Sequence, residues 1–177
     1  MQGFVNLAVD IGHVILIMIP LICYLAGSGF IIGSLWSIYR ITRGHGRERP
    51  WTPIVGIFIG SALFSFDQVL NAANATLGSS HTASMSGLTS YTADNVDPSN
   101  IVGITPQETW LNVITLFDPF FWAYGSAIVL WSLLEAKGQA QGHRRHSPSR
   151  IIVHFVFGVI LLNTDVIAPA IMSHFSS

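Results

Sequence analysis

Residues 40–63 read RITRGHGRERPWTPIVGIFIGSAL: Arg40, Arg43, Arg47 and Arg49 crowd one short turn, and an unbroken apolar run follows it. A second apolar run, about Val14 to Tyr39, precedes the turn. Crossing about 30 Å of hydrocarbon takes roughly 20 apolar residues in a helix, because each backbone amide there must be bonded internally. The stretch therefore reads as a helical hairpin, with its basic turn on the cytoplasmic side by the positive-inside rule.

The same pattern recurs downstream. Apolar segments from about Trp110 to Leu134 and from Ile151 to Ser173 flank a second basic connection carrying Lys137, Arg144, Arg145 and Arg150. With Pro53 to Ala75 closing the first hairpin, four segments qualify as spans. Eight Lys and Arg residues are present, and all fall in the two basic connections. This puts both termini and the centre of the chain on the far side of the membrane. The sequence thus predicts an all-α integral membrane protein of the bacterial inner membrane, with four transmembrane helices as two tandem hairpins. Residues 1–75 form the first hairpin, 76–109 a polar extracytoplasmic loop and 110–177 the second hairpin. The loop is rich in Ser, Thr, Gly and Asp, with Tyr91 and Val102 to Ile104 as its ordering candidates.

Composition agrees. Half the residues are apolar and only 10% are charged, against about 25% in an average soluble domain. Met1 to His13 lacks Lys and Arg and carries Asp10, so the first segment does not read as a secretory signal. A lone Cys23 excludes an internal disulfide and a cysteine metal site. The formal charge of -1 argues against the basic surface that nucleic-acid binding needs, and no direct sequence-specific nucleic-acid contact is expected.

Sliding the sequence on itself by 98 residues pairs Gly27 with Gly125, Ser34 with Ser132, Gly44 with Gly142, Pro50 with Pro148, Gly60 with Gly158 and Asp67 with Asp165. The shared turn and the Gly-to-Asp spacing point to a duplicated hairpin. Both halves keep one topology, so the repeats are parallel, unlike the inverted repeats common in secondary transporters.

Ionisable groups inside spans are functional candidates by default. Asp67 and Asp165 lie about 20 to 25 Å from the cytoplasmic turns at 1.5 Å per residue, nearer the outer interface than the midplane. Asp118, before helix-kinking Pro119, also lies in the outer half, and Pro20 is expected to kink the first helix. These acids read as capping, pairing or interface-facing groups, with a subunit-facing, pore-facing or proton-coupled role as the alternatives. Gly29 with Gly33, and Gly56 with Gly60, have the spacing that lets helices approach closely; Gly125 and Gly158 are the candidate packing positions of the second half. These glycines read as packing sites within the chain or against another subunit. His143 and His146 sit beside Arg144 and Arg145, a basic loop suited to anionic lipid rather than to a metal. GxSxG, HExxH and Walker-type motifs are absent from the sequence, so neither a catalytic centre nor a cofactor is expected.

The stretch Tyr24-Leu-Ala-Gly27, the run to the basic turn and then Pro53-Ile-Val-Gly-Ile-Phe-Ile-Gly60-Ser-Ala-Leu resemble the small multi-spanning proteins of type IVB secretion and conjugation machines. Ile151 to Asn163 (IIVHFVFGVILLN) is similar to the last hairpin of the same proteins. They are the TraQ proteins of I-type conjugative plasmids and the related IcmC (DotE) and IcmD (DotP) components of Dot/Icm systems. The turn HRRHSPSR departs from the family's fuller Gly-Lys-rich turn. The resemblance implies an inner-membrane structural component of a DNA- or protein-transfer apparatus, without enzymatic activity. Its partners would be membrane lipids, other secretion or conjugation membrane subunits and possible homo-oligomer copies. A pilin-like filament subunit and a small transporter or proton channel using Asp67 and Asp165 are the competing functions.

Overall fold

The computed structural model describes residues 2–45, 49–79, 82–86, 105–142 and 147–175. Arg47, Arg144, Arg145, His143, His146, Tyr91 and Val102 to Ile104 lie outside the described residues, as does most of the central loop. The described residues contain six helices: α1 (Gln2–Thr42), α2 (Trp51–Phe64), α3 (Phe66–Thr76), α4 (Pro106–Ala140), α5 (Pro148–Leu162) and α6 (Thr164–Phe175).

Two helices are long and apolar enough to cross a membrane, Asp10–Thr42 within α1 and Pro106–Ala140. Each is about 50 Å long at 1.5 Å per residue. Pro20 and Pro119 lie inside these helices without ending them. A capping box starts α4: Glu108 N–H donates to Thr105 Oγ1, and Thr105 N–H donates to Glu108 Oε2, both at 3.2 Å. Pro106 follows the cap, where its missing N–H costs no helical bond.

The second and fourth expected spans differ from the sequence reading. Pro53 to Ala75 and Ile151 to Ser173 are not continuous rods; each breaks into two helices bent by 84°. Two helices therefore qualify as candidate spans by length and composition, and up to four if each bent pair counts as one. α2 alone, with 14 residues, is about 21 Å long, short of the hydrocarbon thickness. The breaks fall at Ser65 (φ -110°, ψ 41°) and Asn163 (φ -116°, ψ 28°), which are 98 residues apart. At the second break side chains take over the backbone acceptors: Asn163 Nδ2 donates to Val159 O at 2.8 Å and Thr164 Oγ1 to Leu161 O at 2.8 Å. Short polar side chains compete with the helical ladder in this way.

The 98-residue repeat is visible in three dimensions. Gly44 and Gly142 both have positive φ, 74° and 86°, and both end a long helix. Gly44 N–H donates to Ile41 O and Gly142 N–H to Gln139 O, equivalent bonds that close the last turn of α1 and α4. Each hairpin then crosses at a glycine pair. A Cβ on Gly27 would lie 3.1 Å from Gly60 O, and one on Gly125 2.7 Å from Gly158 O. Side chains at these four positions would push the backbones apart.

The halves associate through α1 and α4, which run parallel. Gly12 sits beside Pro119 and Ala123, and Ser34 beside Lys137. Leu16, Ile19, Cys23, Leu63, Phe66, Ala123, Val129 and Leu162 fill the core. Beyond the breaks the symmetry fails: α3 reaches across to α5, whereas α6 folds back on α4. Outside the core the apolar surface is bare, with Phe58 75% and Ile32 67% exposed. A monomeric soluble protein rarely carries so continuous an apolar surface, so the solvent it fits is lipid.

Candidate functional site

Three polar clusters stand out among the described residues. The first is the end of α1, α2 and α4 where the basic residues lie. Lys137, read from the sequence as part of the solvated basic connection, is instead in the last turn of α4 and 6% exposed. The reason is that α4 continues to Ala140, which turns Lys137 inward toward α1 and α2. Its Nζ donates to Ser34 Oγ at 3.2 Å and lies 5.4 Å from the centroid of Phe30. Gly56 makes the room, since a Cβ there would collide with both the Ser34 hydroxyl and the Lys137 ammonium. Thr52 Oγ1 donates to Ala140 O at 3.1 Å, covering a carbonyl that the helix end leaves open. A cation this buried is costly unless its surroundings compensate it; the helix C-terminus and the ring face both contribute.

The second place is the facing side of the same end. Glu135, its side chain 7% exposed, lies between α4 and α5. Trp131 Nε1 donates to Glu135 Oε1 at 3.0 Å, and the Arg150 guanidinium is 3.9 Å from the same oxygen. His154 Nδ1 is 3.4 Å from Glu135 Oε2, close enough for an ion pair when the imidazole is protonated but without the alignment of a hydrogen bond. Arg40, Arg43 and Arg49 are exposed around this end of the bundle.

The third place joins the halves near the breaks. Asn163 Nδ2 donates to Asn74 Oδ1 at 2.9 Å, and the two residues are 0% and 1% exposed. Asn163 Oδ1 is buried without a hydrogen-bond partner.

The acids of the apolar segments do not converge on one point of chemistry. Asp67 lies in the first turn of α3 and its Oδ1 accepts from Gln68 N–H at 2.9 Å. Asp165 occupies the equivalent first turn of α6, half-buried. A carboxylate in a first helical turn complements the partial positive charge of the free amides there. Asp118 is half-buried within α4, and Asp10 is exposed on α1.

The glycines divide in two. Gly56, Gly60, Gly125 and Gly158 are consumed by contacts inside the chain, whereas a Cβ on Gly29 or Gly33 would meet no atom within 4 Å. The inner partner of Gly60 is Gly27, not the spaced pair that the motif singled out. Sequence reading missed Ser34, Asn74, Asn163 and Glu135 as buried polar groups. The repeat offered a signal for one of them, because Ser34 and Ser132 match and both are 1% exposed.

Among the described residues no group of three or more His, Cys, Asp or Glu side chains is placed to hold a metal ion. No protein-family model, curated protein or solved structure matches the chain.

Proposed function

We propose that this chain is an inner-membrane structural component of a type IVB secretion or conjugative DNA-transfer apparatus. The machine is suggested by the sequence resemblance at residues 24–27, 53–63 and 151–163. The structural role is supported by one observation above the others: the intramembrane acids Asp67 and Asp165 begin the short helices α3 and α6. In that position a carboxylate stabilises a helix start instead of relaying protons. Both termini face away from the cytoplasm, and the bare apolar faces of α1 and α5 meet lipid or neighbouring membrane subunits.

A second reading, a small transporter, draws on the breaks at Ser65 and Asn163. Helices interrupted at corresponding places in two repeats are a common way to build a substrate or ion site. One experiment separates the two. In a strain lacking this chain, the unmodified protein should restore transfer of DNA or protein, and Asp67→Asn and Asp165→Asn should restore it nearly as well. Undiminished transfer in the deletion strain refutes a role in the apparatus. Loss of activity in the Asn variants at normal protein levels selects the transporter.

A further inference from the structure

Where α1, α2 and α4 meet at the basic end, they enclose a cavity of about 120 Å³ lined by Gly29, Gly33, Ser34, Thr52 and Lys137 among others. We propose that this cavity binds a phosphate-bearing anion and that its occupant is the headgroup phosphate of an anionic phospholipid.

Charge is the first reason. The Lys137 side chain on the cavity wall belongs to a residue only 6% exposed, and the hydroxyl of Ser34, 1% exposed, lies beside the ammonium. In such a weakly screened setting a cation attracts an anion far more strongly than it does in water. Gly56 holds this arrangement open, because any side chain there would strike the ammonium.

Depth and shape select the source. Lys137 is in the last turn of α4, Thr52 in the first turn of α2, and Gln141, which also lines the cavity, just beyond the end of α4. These are the positions at which helices leave the hydrocarbon and meet headgroups. Basic pockets between helices at that level on the cytoplasmic side suit acidic lipids. Away from the end the wall becomes Gly33 and Gly29, both exposed, with open space where a side chain would be. Gly29 is about 12 Å along α1 from Ser37, another lining residue. The cavity is therefore polar at the helix ends and open and apolar toward the hydrocarbon, the order in which a phospholipid presents its phosphate and its chains. A free anion would need only the polar end. Exposed Arg40, Arg43 and Arg49 on the flanking helix ends add attraction at longer range. The inference depends on the helices being in a membrane and is independent of which machine they serve.

The test uses the full chain purified in mild detergent and loaded into nanodiscs of phosphatidylglycerol and phosphatidylcholine in equal parts. Native mass spectrometry then counts the lipid retained on the released protein. Phosphatidylglycerol should be kept in preference to phosphatidylcholine. Lys137→Gln should lower that retention by about tenfold or more, the loss expected on removing one charge-assisted contact. Gly33→Leu should lower it similarly by filling the open wall. Because Gly33 faces empty space, that variant keeps its helical circular dichroism and answers the question even if Lys137→Gln misfolds. Inorganic phosphate at millimolar concentration should leave the retained lipid in place. Unchanged retention in Gly33→Leu overturns the site, and displacement by inorganic phosphate overturns the lipid as its occupant.

Discussion

Adding one methyl group at Gly125 should loosen the second hairpin, whereas the same change at Gly33 should tighten the protein slightly. At Gly125 the new Cβ would stand 2.7 Å from Gly158 O and 3.0 Å from Leu162 N. Both are backbone atoms of α5, so no side chain can swing away and α4 and α5 must separate. Ordinary contact begins near 3.4 Å, so the helices move apart by about 0.7 Å, and overpacking of this kind costs about 2 to 3 kcal/mol. Alanine recovers about 1 kcal/mol through its better helix propensity. The net loss is about 1 to 2 kcal/mol. At Gly27 the nearest backbone atom is 3.1 Å away, so the smaller displacement and the propensity gain nearly cancel. At Gly33 nothing lies within 4 Å, so only the gain of up to about 1 kcal/mol remains. Unfolding by increasing dodecyl sulfate in mixed micelles, followed by helical circular dichroism, should rank stability as Gly33→Ala, then the parent with Gly27→Ala, then Gly125→Ala. Equal or greater stability of Gly125→Ala relative to Gly33→Ala would refute the glycine crossing between α4 and α5.

Topology and the polar bridge give two further expectations. Alkaline phosphatase fused after Gly78 or Ser177 should be active and after Arg47 or Gly142 inactive, the outcome that the positive-inside rule predicts for basic turns; activity at either turn overturns the orientation. The buried amide pair Asn74 and Asn163 should show coupling of about 1 kcal/mol in a double-alanine cycle of the same unfolding measurement. Additive effects would mean that the 2.9 Å bond contributes nothing to holding the halves together.

Apolar length is enough to read an all-helical chain and its two long helices, because lipid imposes internal bonding on any chain that crosses it. The breaks at Ser65 and Asn163 were harder to read. Each is a single polar residue in an apolar setting, and span length alone is satisfied with or without a bend. The signal was local: Ser65-Phe-Asp67 and Asn163-Thr-Asp165 each place a helix-starting residue two positions before an acid. Lys137 was misplaced for a related reason. Its charge groups it with the arginines of the turn, but charge does not state where a helix ends, and α4 runs three residues further to Ala140. Which glycine faces inward was equally hidden. Gly27, Gly29 and Gly33 share one helix, and only their angular position against α2 separates the first from the others.

The repeat accounts for the groove at Lys137. Under the shift of 98 residues, Ser37 and Gly56 of the first hairpin correspond to Glu135 and His154 of the second. In the second hairpin this pair fills its own groove, with His154 Nδ1 3.4 Å from Glu135 Oε2 between α4 and α5. In the first hairpin, Ser37 and Gly56 are too small to do so. The groove they leave receives Lys137 from α4, whose own counterpart in the first hairpin, Tyr39, is exposed on α1. Small residues on one side and a long cation on the other therefore join the hairpins at this end, as Asn74 and Asn163 join them near the breaks. A duplicated hairpin whose copies remained identical would lack both cross-links. It is the divergence at positions 37, 56, 74, 137 and 163, more than the shared glycines, that makes the two halves one unit.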